Sequence, residues 1–185
     1  MSDDDPSMKR SSLNGCWILD RGRGNPSMRS YLETMGVNEL ALEAHDKGEA
    51  EFDTFLTITM DKDSVEIVKR SRVNADITVE LELGVEHVVL LPPGNREKKS
   101  LAMSDHPGHL CIQSSLQSLN GLAKVVETKN LLQEQDRPIM VQDLTITNDL
   151  TGVTCTTTRY FIPYLKTPPH LEVITGDVEM KDAVI

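Results

Sequence analysis

The chain has 185 residues, a formal net charge of −10, 38% apolar residues and 26% charged residues. That composition reads as one soluble globular domain with a modest, mostly aliphatic core, since aromatics make up only 4%. No apolar run approaches the ~20 residues of a membrane span. The acidic start, Met1 to Pro6, does not read as an export signal. The strong negative charge argues against nucleic acid as a partner. Cys16, Cys111 and Cys155 are odd in number and fit no zinc spacing, so reduced thiols in a cytoplasmic setting are expected.

In chain order, residues 1–12 read as a disordered acidic tail, 13–164 as the folded domain, and 165–185 as an acidic extension that contains Pro168-Pro169. Cys16 to Leu19 reads as a short strand. Asn25-Pro26-Ser27 is a turn with Ser27 as helix N-cap. Met28, Tyr31, Leu32 and Met35 follow at helical spacing, and Gly36 stops that helix. A second short helix starts at Asn38 and runs through Leu40, Ala41 and Ala44.

The apolar period then changes to two. Phe55 to Met60 and Val65 to Lys69 form a hairpin around Asp61-Lys62-Asp63. Asp76 to Leu83 alternates, with Ile77, Val79, Leu81 and Leu83 on one face. Strands follow at Val88 to Leu91, Lys98 to Met103, His109 to Leu116, Leu122 to Lys129, Ile139 to Thr147 and Val153 to Ile162. Turn residues such as Asp105-His106-Pro107-Gly108 separate them. Many short strands with tight turns, interrupted once by helices, predict an all-β protein: an antiparallel sandwich or an up-and-down barrel.

Specific residues narrow this reading. Gly15-Cys16-Trp17-Ile18-Leu19 resembles the opening Gly-x-Trp-x-Leu strand of the intracellular fatty-acid-binding protein family. Tyr31-Leu32-Glu33-Thr34-Met35-Gly36-Val37 is similar to that family's first helix. Leu81-Glu82-Leu83-Gly84-Val85-Glu86 and Gly94-Asn95-Arg96-Glu97-Lys98-Lys99-Ser100 resemble its middle segments. Gly152-Val153-Thr154 through Arg159-Tyr160-Phe161 resembles its closing Gly-Val-x-x-x-Arg-x-Tyr strand. The resemblance implies a ten-stranded antiparallel up-and-down β-barrel of the calycin type, closed by a helix–turn–helix lid. It also implies non-covalent binding and transport of a long-chain fatty acid or similar hydrophobic anion, with no catalysis. No cofactor and no metal are expected, since His106 and His109 flank a Pro-Gly turn and His45, His87 and His170 are scattered. The family's closing tyrosine is replaced by Phe161. Its second arginine position falls on Thr128 when counted from Gly121.

The candidate ligand-binding residues follow from that resemblance. Arg159 leads, because an always-charged guanidinium facing a cavity accepts a carboxylate in paired hydrogen bonds. Cys155, Thr157, Arg159 and Phe161 share one strand face; the alternative puts that face outside, with Arg159 paired to a surface acid. Arg96 is either a pocket cation or an exposed turn residue. Lys124, Val126 and Thr128 share a face, and Lys124 would replace the missing arginine. A one-residue slip would instead turn Ala123, Val125 and Glu127 inward. Met28, Tyr31, Leu32 and Val37 match lid positions and Val73 a portal turn, while Trp17 reads as a plug at the closed end.

No phosphate loop, nucleophile elbow or acid–base pair reads in the chain, so an enzyme is not expected. Two other functions stay open: a carrier of retinoid-like or neutral lipid, and a ligand-free barrel serving as a protein-interaction module. A monomer is expected, with transient membrane contact through the lid.

Overall fold

The computed structural model describes residues 10–70, 76–91, 94–118 and 121–166. After β1 (Gly15–Gly24) come the helices α1 (Arg29–Met35) and α2 (Glu39–Glu51). The meander that follows is β2 (Phe55–Met60), β3 (Ser64–Arg70), β4 (Ile77–Glu82), β5 (Glu86–Leu91), β6 (Arg96–Met103), β7 (His109–Ser118), β8 (Gly121–Glu134), β9 (Arg137–Asn148) and β10 (Thr154–Pro163). The strands form one 10-stranded sheet in the order β4-β3-β2-β1-β10-β9-β8-β7-β6-β5. Every neighbouring pair is antiparallel.

This is the nearly closed barrel with two helices that the strand pattern and the resemblance predict. Only β1 against β10 joins the two ends of the chain. The seam lies between β4 and β5, which share no ladder. There Leu83 bridges Ala102, and the Glu82 backbone N–H donates to Nε2 of His87 at 2.9 Å.

Local chemistry places the lid as expected, with one shift of position. The helix N-cap is Met28 rather than Ser27, and Ser27 Oγ instead accepts from the Arg29 N–H at 3.1 Å. Gly36 closes α1 at φ 89°, a left-handed conformation that glycine adopts without a Cβ penalty. Asn38 caps α2 by accepting from the Ala41 N–H at 3.0 Å. That helix continues one to two turns beyond Ala44, because its last turns find partners on the barrel.

The core occupies the end opposite the lid. Trp17, Phe161, Leu13, Leu110 and Met140 are fully buried there and pack together. The indole N–H of Trp17 donates to the Leu13 carbonyl at 2.8 Å, so the ring is buried with its polar atom satisfied. The N-terminal tail was expected to extend to Ser12, yet Arg10 lies against the barrel. Its guanidinium sits 4.8 Å from the Trp17 ring, and its carbonyl accepts from Gln133 at 3.1 Å. Residues 1–9 and 167–185, which hold most of the two expected tails, lie outside the described residues, as does Val73.

Candidate functional site

Between the core and the lid lies a cavity of about 280 Å³. Much of its wall is aliphatic: Leu56, Ile67, Val79, Leu81, Ile112 and Leu144. Met28, Tyr31 and Met35 reach it from the lid side. The strand period produces this wall directly, since alternate residues of each strand face one side.

The polar part of the wall comes from sheet register. Arg159 on β10 lies opposite Gln142 on β9, and Gln142 lies opposite Lys129 on β8. One residue row across three strands therefore carries two cations and an amide. The next row places Thr157 opposite Leu144, and Leu144 opposite Glu127. Lys69 on β3 and Lys98 on β6 complete the charged groups of the wall.

Arg159 is 3% exposed. Its Nε donates to the Pro26 carbonyl at 3.1 Å, which ties the start of the lid to the barrel. Its Nη2 is 3.6 Å from a carboxylate oxygen of Glu49 on α2. Among the described residues nothing lies within hydrogen-bond geometry of that Nη2. Burial pushes the Arg159 pKa down, and the charges of Glu49 and Glu127 partly offset this. Glu49 also accepts from the Met28 N–H at 3.1 Å, so one carboxylate links both helices to the buried guanidinium.

Glu127 would be pushed up by burial, but Lys129, Gln142 and Lys98 together hold its carboxyl below the usual range. It accepts from the Lys129 ammonium and, at 2.6 Å, from the Gln142 amide. Lys69 is pushed down, first by burial and then by the like charge of Arg159; Glu49 and Glu127 act the other way. The Tyr31 phenol is pushed up to about 12 by burial and by the charge of Glu127.

The structure thus brings Arg159, Met28 and Tyr31 together in the cavity wall. Thr157 and Phe161 share the Arg159 face and are buried, but both lie outside the wall. Phe161 belongs to the closed-end core, with its ring 5.5 Å from the Arg159 guanidinium. Leu32 and Val37 sit in the lid without reaching the cavity, and Met35 takes that place. Arg96 opens β6 opposite Leu91 and is not part of the wall.

Lys124, Val126 and Thr128 are corrected: they lie on the outer face. Lys124 pairs with Asp149 at 3.2 Å, and Val126 is 41% exposed. The inward set is Ala123, Val125, Glu127 and Lys129, the one-residue slip left open by the sequence. The consecutive valines 125 and 126 give both faces of β8 the same apolar signature, so alternation could not choose between them. The cation expected at Lys124 in place of the family's second arginine is supplied instead by Lys129, one residue beyond Thr128.

Sequence reasoning missed Lys69, Lys98, Lys129, Gln142 and Glu49. Lys69 had a readable signal, being in phase with the buried Val65 and Ile67 of β3. Glu49 had none, because only the docking of α2 on the barrel brings it to Arg159.

No family model matches the chain, and no curated protein matches it by sequence. Solved structures do match in fold. The apo lipid binding protein 8 of Caenorhabditis elegans aligns at TM-score 0.60 and 17% identity, over 82% of this chain and 95% of that one. A Schistosoma mansoni fatty acid binding protein in complex with arachidonic acid aligns at 0.58 and 16%, over 83% and 97%. Human cRBP IV aligns at 0.52 and 16%, over 84% and 100%. At these identities the likeness establishes that the chain shares the barrel-and-lid fold of these proteins.

Proposed function

We propose that the barrel binds and transports a hydrophobic anion of the fatty-acid type. The observation that carries this reading is Arg159, 3% exposed in an apolar-walled cavity, with one guanidinium nitrogen lacking a hydrogen-bond partner among the described residues. Isolating such a charge costs several kcal/mol, and an acidic ligand head offsets that cost. Affinity would come mainly from the tail, at about 0.8 kcal/mol per CH₂ buried. The solved structures of this fold include proteins named for binding lipid and fatty acid.

The neutral-lipid alternative leaves Lys69 and Lys98 without an ion-pair partner among the described residues, and the interaction-module alternative leaves the 280 Å³ cavity without purpose. A cavity near the lower end of the roughly 300–1,000 Å³ typical of small-molecule sites favours a shorter or partly protruding tail. A cytoplasmic, monomeric carrier that touches membranes through its lid fits the same reading. Leu40 on α2 is 78% exposed at the lid surface, and no described helix is long and apolar enough to cross a membrane.

The test is displacement of a fluorescent fatty-acid probe from delipidated protein, with Arg159→Ala beside it. Loss of one charge-assisted contact, about 1.5–3 kcal/mol, should weaken binding by roughly ten- to a hundredfold. Unchanged affinity would move the head elsewhere in the cavity. No binding by folded wild type would overturn the carrier reading.

A further inference from the structure

The cavity wall holds more positive charge than one carboxylate ligand neutralises. Lys69, Lys98, Lys129 and Arg159 line it, against a single acid, Glu127. Glu127 is taken by Lys129, and Glu49 reaches in from α2 to lie 3.6 Å from Arg159. Among the described residues no ion pair or hydrogen bond reaches the ammonium group of Lys69 or Lys98. The interior therefore carries an excess of two positive charges inside a chain whose net charge is −10.

Charges in a low-dielectric space interact strongly and persist only when paired or hydrated. A surface of opposite sign does little for them, because the barrel wall separates the two and solvent screens the outer charges. The groups also act on one another. The charge of Arg159 bears on Lys69, and that of Lys98 on Glu127. An anionic head near Arg159 thus lies within the field of Lys69, and Lys98, which acts on Glu127, lines the same cavity.

Resting on the carrier reading, we propose that the preferred ligand is an amphiphile whose head carries two negative charges, a phosphate monoester or a geminal dicarboxylate, seated between Arg159, Lys69 and Lys98. A dianion neutralises the whole excess, whereas a monocarboxylate leaves one half-buried wall lysine uncompensated. A phosphate monoester is mostly dianionic above pH ~6 and offers three acceptor oxygens, enough for one guanidinium and two ammonium groups.

The experiment compares dodecyl phosphate, dodecylmalonate, laurate and dodecanol as displacers of the same probe from delipidated wild-type protein. A shared chain keeps the tail contribution constant, so differences report the head. At least one dianion should bind about tenfold or more tightly than laurate, the worth of one further charge-assisted contact. The dianion that does so identifies the head. Dodecyl phosphate should also weaken as pH falls through its second ionisation near ~6, where laurate does not change. Lys69→Met and Lys98→Met should each weaken the dianion at least severalfold more than laurate, in variants whose near-ultraviolet circular dichroism matches wild type.

Laurate equal to or tighter than both dianions overturns the dianion proposal and leaves the carrier reading standing. Equal losses for laurate and dianion in the lysine variants also overturn it. Failure of all four compounds and of the probe overturns the carrier reading itself.

Discussion

At the scale of single residues, the cavity is defined by ionisable groups placed where solvation is poor. Tyr31 gives a direct readout. Its phenol ionises near pH ~10 in the unfolded chain, but is pushed up to about 12 in the folded one by burial and by Glu127. Between those values the unfolded state binds fewer protons, so stability falls as pH rises, by ~1.4 kcal/mol per pH unit. Below that window the group contributes nothing to the pH dependence. Denaturant midpoints for wild type should drop across this alkaline window, and Tyr31→Phe should flatten that drop. Equal slopes for the two proteins would mean that the phenol is not buried as described. Glu127 acts at the other extreme: its lowered pKa is stabilising at neutral pH, and the benefit is lost as acid protonates it.

At the scale of elements, α2 is the part of the lid that matters for the site. Asn38 starts it, and the long run to Glu51 carries Glu49 over the barrel mouth. The Glu49 carboxylate occupies one side of Arg159 as a ligand acid would, while holding the Met28 N–H of the other helix segment. Glu49→Gln keeps an acceptor for that N–H and removes the competing charge. Affinity for an anionic probe should therefore rise several-fold, to roughly tenfold for a partly screened charge pair, measured by the same displacement titration. A fall in affinity would show that Glu49 orders the site rather than competing in it. Gly24 plays a matching role at the end of β1. At φ 67° it lies opposite Arg159, and a Cβ there would come within 2.6 Å of the Thr158 carbonyl oxygen. The close approach of β1 and β10 beside Arg159 thus depends on a residue without a side chain.

At the scale of the whole molecule, the barrel separates two electrostatic regions: an acidic exterior and a cationic cavity. Ligand binding should stabilise the fold, because only the folded chain forms that cavity. At a ligand concentration of one hundred times Kd the gain is about 2.7 kcal/mol, read as a rise in Tm that grows with the logarithm of concentration. A Tm indifferent to a ligand that displaces the probe would place binding outside the barrel. The seam between β4 and β5 sets a further property of the molecule. With no ladder between them, these strands keep unpaired edges that the remaining strands lack.

The sequence by itself determined the element order, the change from helical to strand period after α2, and the end of the chain that holds Arg159. These are local properties: apolar spacing, capping residues and turn residues act within a few positions of themselves. The sequence also placed Met28 and Tyr31 at the lid and Trp17 in the core, through the motifs around them. The strand phase of β8 was decided by tertiary structure, because Val125 and Val126 satisfy either face and only the ladder with β9 selects one. The gathering of Lys69, Lys98, Lys129 and Arg159 was decided the same way. They lie on four different strands, and no spacing along the chain records that a barrel brings those strands around one cavity. The Glu49–Arg159 contact is the extreme case. It joins residues on a helix and on the last strand, and it exists because closure of the barrel leaves a mouth that α2 must cover.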